Sequence, residues 1–320
     1  MNKATTVENP LGYERVGRLL ARYAIPSIIA LIINSLYTMV DQIFIGQGVG
    51  FLGNGATNII APIATITIAI ATLFGDGLAA FFSLSLGKGE GEKAARGLGT
   101  SIIYGGIFGI IWTVIAFAFL RPLCLIFGAT ENILPYALDY GRIIVIGFSF
   151  QIVGNAINSA IRTDGSPRYA MLAMMIGAVL NIILDPIFIF VFHWGVKGAA
   201  IATVGSQLFG LLFNIAYLFR LKTIKLSRQS FSFDIQTAGR IASLGFASGA
   251  NNLTSTVVAF VSNNLMTKYG ALSAYGADIP LTTFGLCMKV SMLAFSIGIG
   301  VASGSQPIIG FNYGAKNMTV

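Results

Sequence analysis

Three acids draw attention because of where they fall. Asp41, Asp76 and Asp185 lie well inside long apolar runs, whereas the other acids sit in or beside polar segments. A charge near the centre of a bilayer costs roughly 2.5 kcal/mol or more, so acids in such places usually have a task. The stretch NIILDPIFIF, residues 181–190, is the most explicit. Asn181 and Asp185 are four residues apart and share one helix face. Pro186 has no N–H, so the carbonyl of Ile182 loses its ordinary helical donor. A carboxylate, an amide oxygen and a spare carbonyl make a nest of oxygen ligands suited to a hard cation or a proton. The plainer reading is that Asp185 only hydrogen-bonds to neighbouring helices.

Other polar residues are spaced so as to share faces. Asp41, in YTMVDQIFIG, comes late in the first apolar run and is either a helix-end acid or a functional one. Asp76, in FGDGLAA, either lines water or closes a packing contact. Gln151, Asn155 and Asn158 fall on one turn-spaced set, Thr203 and Gln207 on another, and Asn251, Asn252, Asn263 and Asn264 lie in a later run. Hydrogen bonding between helices is the ordinary role of such side chains. Lys289 is the one base deep in an apolar run; it either snorkels to the interface or lines a cavity.

The elements that must position these groups follow from composition. The 320 residues are 55% hydrophobic and only 10% charged, with a mean hydropathy of +0.78. A soluble domain carries about 25% charged residues. Crossing a bilayer takes about 20 apolar residues. Eight candidate spans meet that need: 16–45, 52–86, 95–121, 136–161, 167–192, 196–220, 240–268 and 279–311. They must be helices, because an open sheet edge cannot be satisfied in hydrocarbon. The expected fold is therefore an all-α polytopic membrane bundle. No cleavable signal peptide is apparent, since the first apolar run is too long for one.

Fifteen of the 20 basic residues fall on one side of this alternating chain. They include Arg15, Arg18 and Arg22, Lys88, Lys93 and Arg96, Arg162 and Arg168, and the group from Arg220 to Arg240. The positive-inside rule then puts the amino terminus in the cytoplasm. The net charge of +8 is thus explained by topology, and no nucleic-acid partner is expected.

GKGEGEK at 87–93 and GFNYGAK at 310–316 share Gly, Gly and Lys, and NGA at 54–56 is echoed by YGA at 275–277. The near-constant offset makes the last two spans a second copy of the first two. A six-helix unit repeated in parallel is a transporter plan. The expected division is 1–15 as a cytoplasmic amino terminus, 16–220 as a first lobe of six spans, 221–239 as a cytoplasmic loop between lobes, and 240–320 as the start of a second lobe. On this reading eight spans are present of an expected twelve. GxxxG pairs at Gly105–Gly109 and Gly245–Gly249 are expected to let helices approach closely.

Enzyme motifs fail. Cys124 and Cys287 have no metal spacing and no framework to form. His193 stands alone in a loop, and GKGEG lacks the GxxxxGK[ST] of a phosphate-binding loop. No cofactor is expected, and energy would have to come from an ion gradient.

Four motifs taken in order carry a resemblance: RTDGSPRYAM in the fourth-to-fifth loop, NIILDPIFIF, GVKGAAIATVGSQ opening the sixth span and QPIIGFNYGAKN ending the eighth. Together they resemble the MATE (multidrug and toxic compound extrusion) transporters, nearest to the bacterial multidrug-export members, over essentially the whole chain. The resemblance implies twelve helices in two six-helix lobes around a cavity. It implies antiport of Na+ or H+ against lipophilic, often cationic drugs across the bacterial cytoplasmic membrane, by a monomer in the bilayer. It implies a coupling site, for Na+ if sodium is the ion, at Asp41, Asn181, Asp185 and Thr203. Tyr37 and Asn155 would lie nearby, with Gln151, Asn158 and Lys289 expected along the substrate cavity. Relatives that use acids in the seventh and eighth spans find no counterpart here, since Asp278 precedes the eighth span. A lipid-linked oligosaccharide flippase would need a more basic cavity, and a sensor or scaffold without transport would leave the intramembrane acids dispensable.

Overall fold

The computed structural model describes residues 10–316, so the first nine residues of the expected amino-terminal segment and the last four of the chain lie outside the described residues. Among the described residues nine α-helices follow one another: α1 Val16–Gly48, α2 Phe51–Gly87, α3 Gly91–Ala118, α4 Leu120–Ile126, α5 Leu134–Thr163, α6 Pro167–Pro186, α7 Gly195–Leu218, α8 Ile235–Gly270 and α9 Asp278–Gly314. All are helical because the segments between the turns are continuous apolar runs whose backbone polar groups must be satisfied within the segment. Seven of these helices are long and apolar enough to cross a membrane. The seventh expected span, 240–268, falls in α8, which has the length at 36 residues, but Asn251, Asn252, Asn263 and Asn264 make it more polar.

Helix ends report their chemistry. The apolar run predicts a third span reaching residue 121, yet α3 stops at Ala118, and Phe119 makes the last bond, to Ile115. Pro122 has no N–H to give the Ala118 carbonyl, so the helix closes there and α4 begins anew. Likewise α8 starts at Ile235 rather than near 240, because Asp234 caps it. The Asp234 carboxylate accepts from the N–H groups of Gln236 and Thr237, both at 3.0 Å, and the Thr237 bonds do most to hold it below the usual carboxylate range. Pro280 sits in the first turn of α9, where a missing N–H is harmless, while Pro26, Pro62 and Pro307 are interior.

α6 does not simply end at Pro186. It continues into a wide π-helical turn, Ile187–Val191, closed by the Phe192 N–H bonding the Ile187 carbonyl at 3.0 Å. The proline removes one rung of the ladder, and the chain re-phases with i+5 bonds; such bulges concentrate at functional positions.

The bundle is organised around α2, which packs against α3, α5, α8 and α9. α5 packs on α7, and α1 packs on α6 and α9. The pairing is reciprocal: α1 lies against α9 while α2 lies against α8. That is the arrangement a parallel repeat of the first two helices by the last two produces. Small residues allow it. A β-carbon on Gly77 would collide with the Ile241 carbonyl of α8, and one on Gly249 would stand 3.2 Å from the Ala69 carbonyl of α2. The other GxxxG pair sets α3 on α5, where a β-carbon on Gly109 would stand 3.1 Å from Ser149.

Candidate functional site

Where α1, α6 and α7 meet, the polar residues of three apolar helices converge. Asp185 is fully buried, Asn181 is 1% exposed and Asp41 is 7% exposed. Asn181 Nδ2 donates to Asp185 Oδ1 and to Thr203 Oγ1, each at 3.3 Å. The four-residue spacing on α6 thus does what the sequence implies, and α7 supplies Thr203 from the adjoining face. Asp41 and Asp185 face each other across the α1–α6 contact, each within the other's electrostatic reach. Three oxygens here are buried and accept from no N–H or hydroxyl donor among the described residues, Asp41 Oδ1, Asp185 Oδ2 and Asn181 Oδ1, and the two carboxyls lie close enough to share a proton. A buried acceptor left unmatched costs about 1–3 kcal/mol, so this concentration of unused oxygen is a site property. Its donor set of carboxylates, amide and hydroxyl fits a hard monovalent cation or a proton.

Lys289 enters the same centre from α9. Gln42 Nε2 donates to Asp41 Oδ2 at 3.2 Å, Thr57 Oγ1 donates to Gln42 Oε1 at 2.9 Å, and Lys289 Nζ donates to Thr57 Oγ1 at 3.2 Å. The ammonium and the Asp41 carboxylate also act on each other electrostatically. One polar chain therefore runs from α9 through α2 to α1. Tyr37 stands in the field of both acids.

Asn155 accepts from Ser159 Oγ at 3.5 Å and faces Gly75 of α2, away from the acids. Asn158 is used between helices: it donates to the Ala170 carbonyl at 3.0 Å and to Asn214 Oδ1 at 3.4 Å. Gln151 is half-buried on α5, one turn before Asn155. Asp41, Asn181, Asp185 and Thr203 thus gather with Tyr37 and Lys289, whereas Gln151, Asn155 and Asn158 do not join them.

Three residues of the centre carry no signal of their own in the sequence. Gln42 and Thr57 look like ordinary helix polar residues, though Gln42 adjoins an intramembrane acid. Tyr140, buried on α5, interacts with Asp41, Asp185, Tyr37 and Thr203, and no spacing rule singles it out.

A second polar knot is structural. Asp164, between α5 and α6, is 1% exposed. Its Oδ2 accepts from the Tyr217 hydroxyl and the Lys222 N–H, both at 2.8 Å, and its Oδ1 accepts from the Thr223 N–H at 2.8 Å and the Thr223 hydroxyl at 2.5 Å. This ties the loop of RTDGSPRYAM to the chain leaving α7.

These features define a multi-span α-helical membrane protein with a buried carboxylate centre at a helix junction. The MatE family profile matches residues 26–187. The multidrug export protein MepA of Staphylococcus aureus (strain MRSA252) is 25% identical over 308 residues, covering 93% of this chain and 65% of its own length. The protein of the same name from Staphylococcus haemolyticus (strain JCSC1435) is 26% identical over 307 residues, covering 92% of this chain and 64% of its own. The solved structure of the MATE multidrug transporter DinF-BH, determined as a complex, superposes with a TM-score of 0.89 at 31% identity, over 95% of this chain and 67% of that one. An outward-facing MATE family transporter of the MOP superfamily gives a TM-score of 0.85 at 27% identity, over 96% of this chain and 67% of that one. The chain belongs to the MatE family. It spans about 65% of the length of the curated relatives it matches.

Proposed function

We propose that the chain serves cation-coupled export: Na+ or H+ is taken up at Asp41 and Asp185 while lipophilic, often cationic compounds leave across the cytoplasmic membrane. The observation that carries this reading is the pair of buried, facing carboxyls with unmatched oxygens beside Asn181 and Thr203. Two ionised carboxylates so placed in oil repel each other, and one arriving positive charge relieves both desolvation and repulsion. A proton does this by joining one oxygen. Sodium does it with oxygens from both acids and Thr203, and a half-turn of the Asn181 amide presents Oδ1 in place of Nδ2. The same loss of negative charge weakens the hold on a cationic drug. Exchange follows because the ion binds the two conformations with different affinity.

In this reading residues 16–220 form the first lobe, 221–239 the link and 240 onward the start of the second, with the amino terminus in the cytoplasm. The protein works as a monomer on drug-like organic cations in the bilayer, without enzyme chemistry, cofactor or nucleic acid. Names of relatives support the drug class: two are multidrug export proteins.

The test is ethidium efflux from loaded cells and from proteoliposomes with sodium and pH gradients imposed separately. Asp185→Asn is expected to abolish gradient-driven efflux, and the gradient that drives the parent protein identifies the ion. Undiminished efflux by Asp185→Asn and Asp41→Asn would refute the assignment.

A further inference from the structure

The third intramembrane acid, Asp76, is not part of the centre just described. It lies 19 residues beyond Thr57 on α2, about 28 Å along the helix axis, towards the opposite side of the bilayer. Gly75 and Gly77 flank it. Gly75 abuts Asn155 and Ser159 of α5, and Gly77 abuts Ile241 and Gly245 of α8. With both neighbours clasped by other helices, Asp76 projects elsewhere. Between Ala71 and Ser85 the only positions of α2 that are not buried are Thr72, Leu73, Asp76, Ala80 and Leu84. At three- and four-residue spacing these form one stripe.

Polar groups from three helices border that stripe. Asn252 of α8 donates to Thr72 Oγ1 at 3.2 Å, and Gln306 of α9 donates to the backbone carbonyl of Asp76 at 2.9 Å. From α5 come Asn155 and Arg162, both half-buried. Arg162 lies in the field of Asp76 without reaching it, since its one side-chain bond is from Nη2 to Ser159 Oγ at 3.4 Å and its Nε is buried and unpartnered. Among the described residues the Asp76 carboxylate itself makes no hydrogen bond and no ion pair within 4.0 Å. An acid in a span, half-open and unpaired beside a polar border, is a costly arrangement unless something positive visits it.

We infer that Asp76 is a separate station for the positive group of a lipophilic organic cation, on the stripe bordered by Asn155, Arg162, Asn252 and Gln306. The inference rests on the export reading above and adds a stop to it. The cargo's charge is first met at Asp76, about 28 Å along α2 from Thr57, and passes from there to Asp41 and Asp185, where the coupling ion displaces it. Arg162 is the resident cation whose field the cargo must outcompete, so it tunes affinity.

Fluorescence polarisation of ethidium, with the neutral dye Nile red as control, tests this on the purified protein in detergent. Asp76→Asn is expected to weaken ethidium about tenfold, since the half-open acid no longer meets the dye's charge, and to leave Nile red unchanged. Asp76→Glu restores ethidium binding, and Arg162→Gln tightens it. Equal ethidium affinity in Asp76→Asn and the parent overturns the station. Parallel loss of both dyes overturns it too, by making Asp76 a packing residue. Asp41→Asn and Asp185→Asn in the same assay keep the two readings apart. If they leave the sodium and pH response of ethidium binding intact, the coupling reading falls and the Asp76 station stands. If only Asp76→Asn has no effect, the reverse holds.

Discussion

Single residues here differ in what their oxygens do. Asp164 and Asp185 are both buried acids, yet Asp164 has four donors shared evenly between its two oxygens, while Asp185 Oδ2 has none. The first is saturated and structural; the second is left open. Asp164→Ala orphans the Thr223 hydroxyl and the N–H groups of Lys222 and Thr223, while the Tyr217 hydroxyl keeps Ser166 Oγ at 2.7 Å, and is expected to cost about 3 kcal/mol of stability. Asp164→Asn is expected to be nearly as harmful. Each oxygen serves two donors, so an amide nitrogen meets two donors whichever way it turns. Thermal unfolding of the two variants in detergent measures this, and an Asn variant as stable as the parent would show that the second oxygen is dispensable. The sequence makes Asp185 legible because spacing, a proline and an apolar setting coincide on one helix. It leaves Asp164 unremarked because a loop acid looks solvated until the chain after α7 folds back on it. Tyr140 escapes for the same reason: its neighbours come from α1, α6 and α7, and no local pattern encodes that meeting.

Elements inherit their shape from these local choices. Apolar length predicts eight long helices and eight are found among the described residues, although α8 is more polar than the other seven. The ends are not readable that way, because α3 stops for Pro122 and α8 starts for Asp234, each a single-residue effect. The π-helical turn after α6 is the element with the most direct bearing on the centre. Pro186 frees the Ile182 carbonyl one turn below Asp185, and the re-phased turn seats Ile189 and Phe190 against Gly48 at the end of α1. Pro186→Ala gives residue 186 an N–H for that carbonyl and lets α6 run on as an ordinary helix. The expected outcome is a protein more resistant to heat whose coupling ion binds about tenfold more weakly, the usual size of a loss in support around an ion site. Ion-dependent thermal shift reads both quantities. An unchanged ion response would separate the proline from the centre.

At the scale of the whole molecule, α8 and α9 grip the first six spans at both ends. On the Asp41 side, Asp278 at the start of α9 accepts from Thr130 Oγ1 at 2.6 Å and Asn132 Nδ2 at 3.3 Å. Nearby on α8, Thr267 donates to the Gly128 carbonyl at 3.2 Å and Asn264 to the Ile126 carbonyl at 2.9 Å. These bonds lie about 16 Å beyond Lys289 along α9, so the chain Lys289–Thr57–Gln42–Asp41 and the Asp278 contacts hold the same seam. Under the proposed export cycle, opening between the lobes on that side would have to break both, and a positive charge arriving at Asp41 would loosen the first by competing with the Lys289 ammonium. A covalent bond across the second contact would then arrest that cycle with the centre intact. In a background with Cys124→Ala and Cys287→Ser, the pair Thr130→Cys and Asp278→Cys is expected to form a disulfide on mild oxidation, verified by mass spectrometry. Oxidised protein in proteoliposomes is expected to retain ion-dependent thermal stabilisation but not ethidium export, and reductant restores export. Full-rate export by the cross-linked protein would mean that the seam beside Asp278 stays closed through the cycle and that cargo leaves by another path.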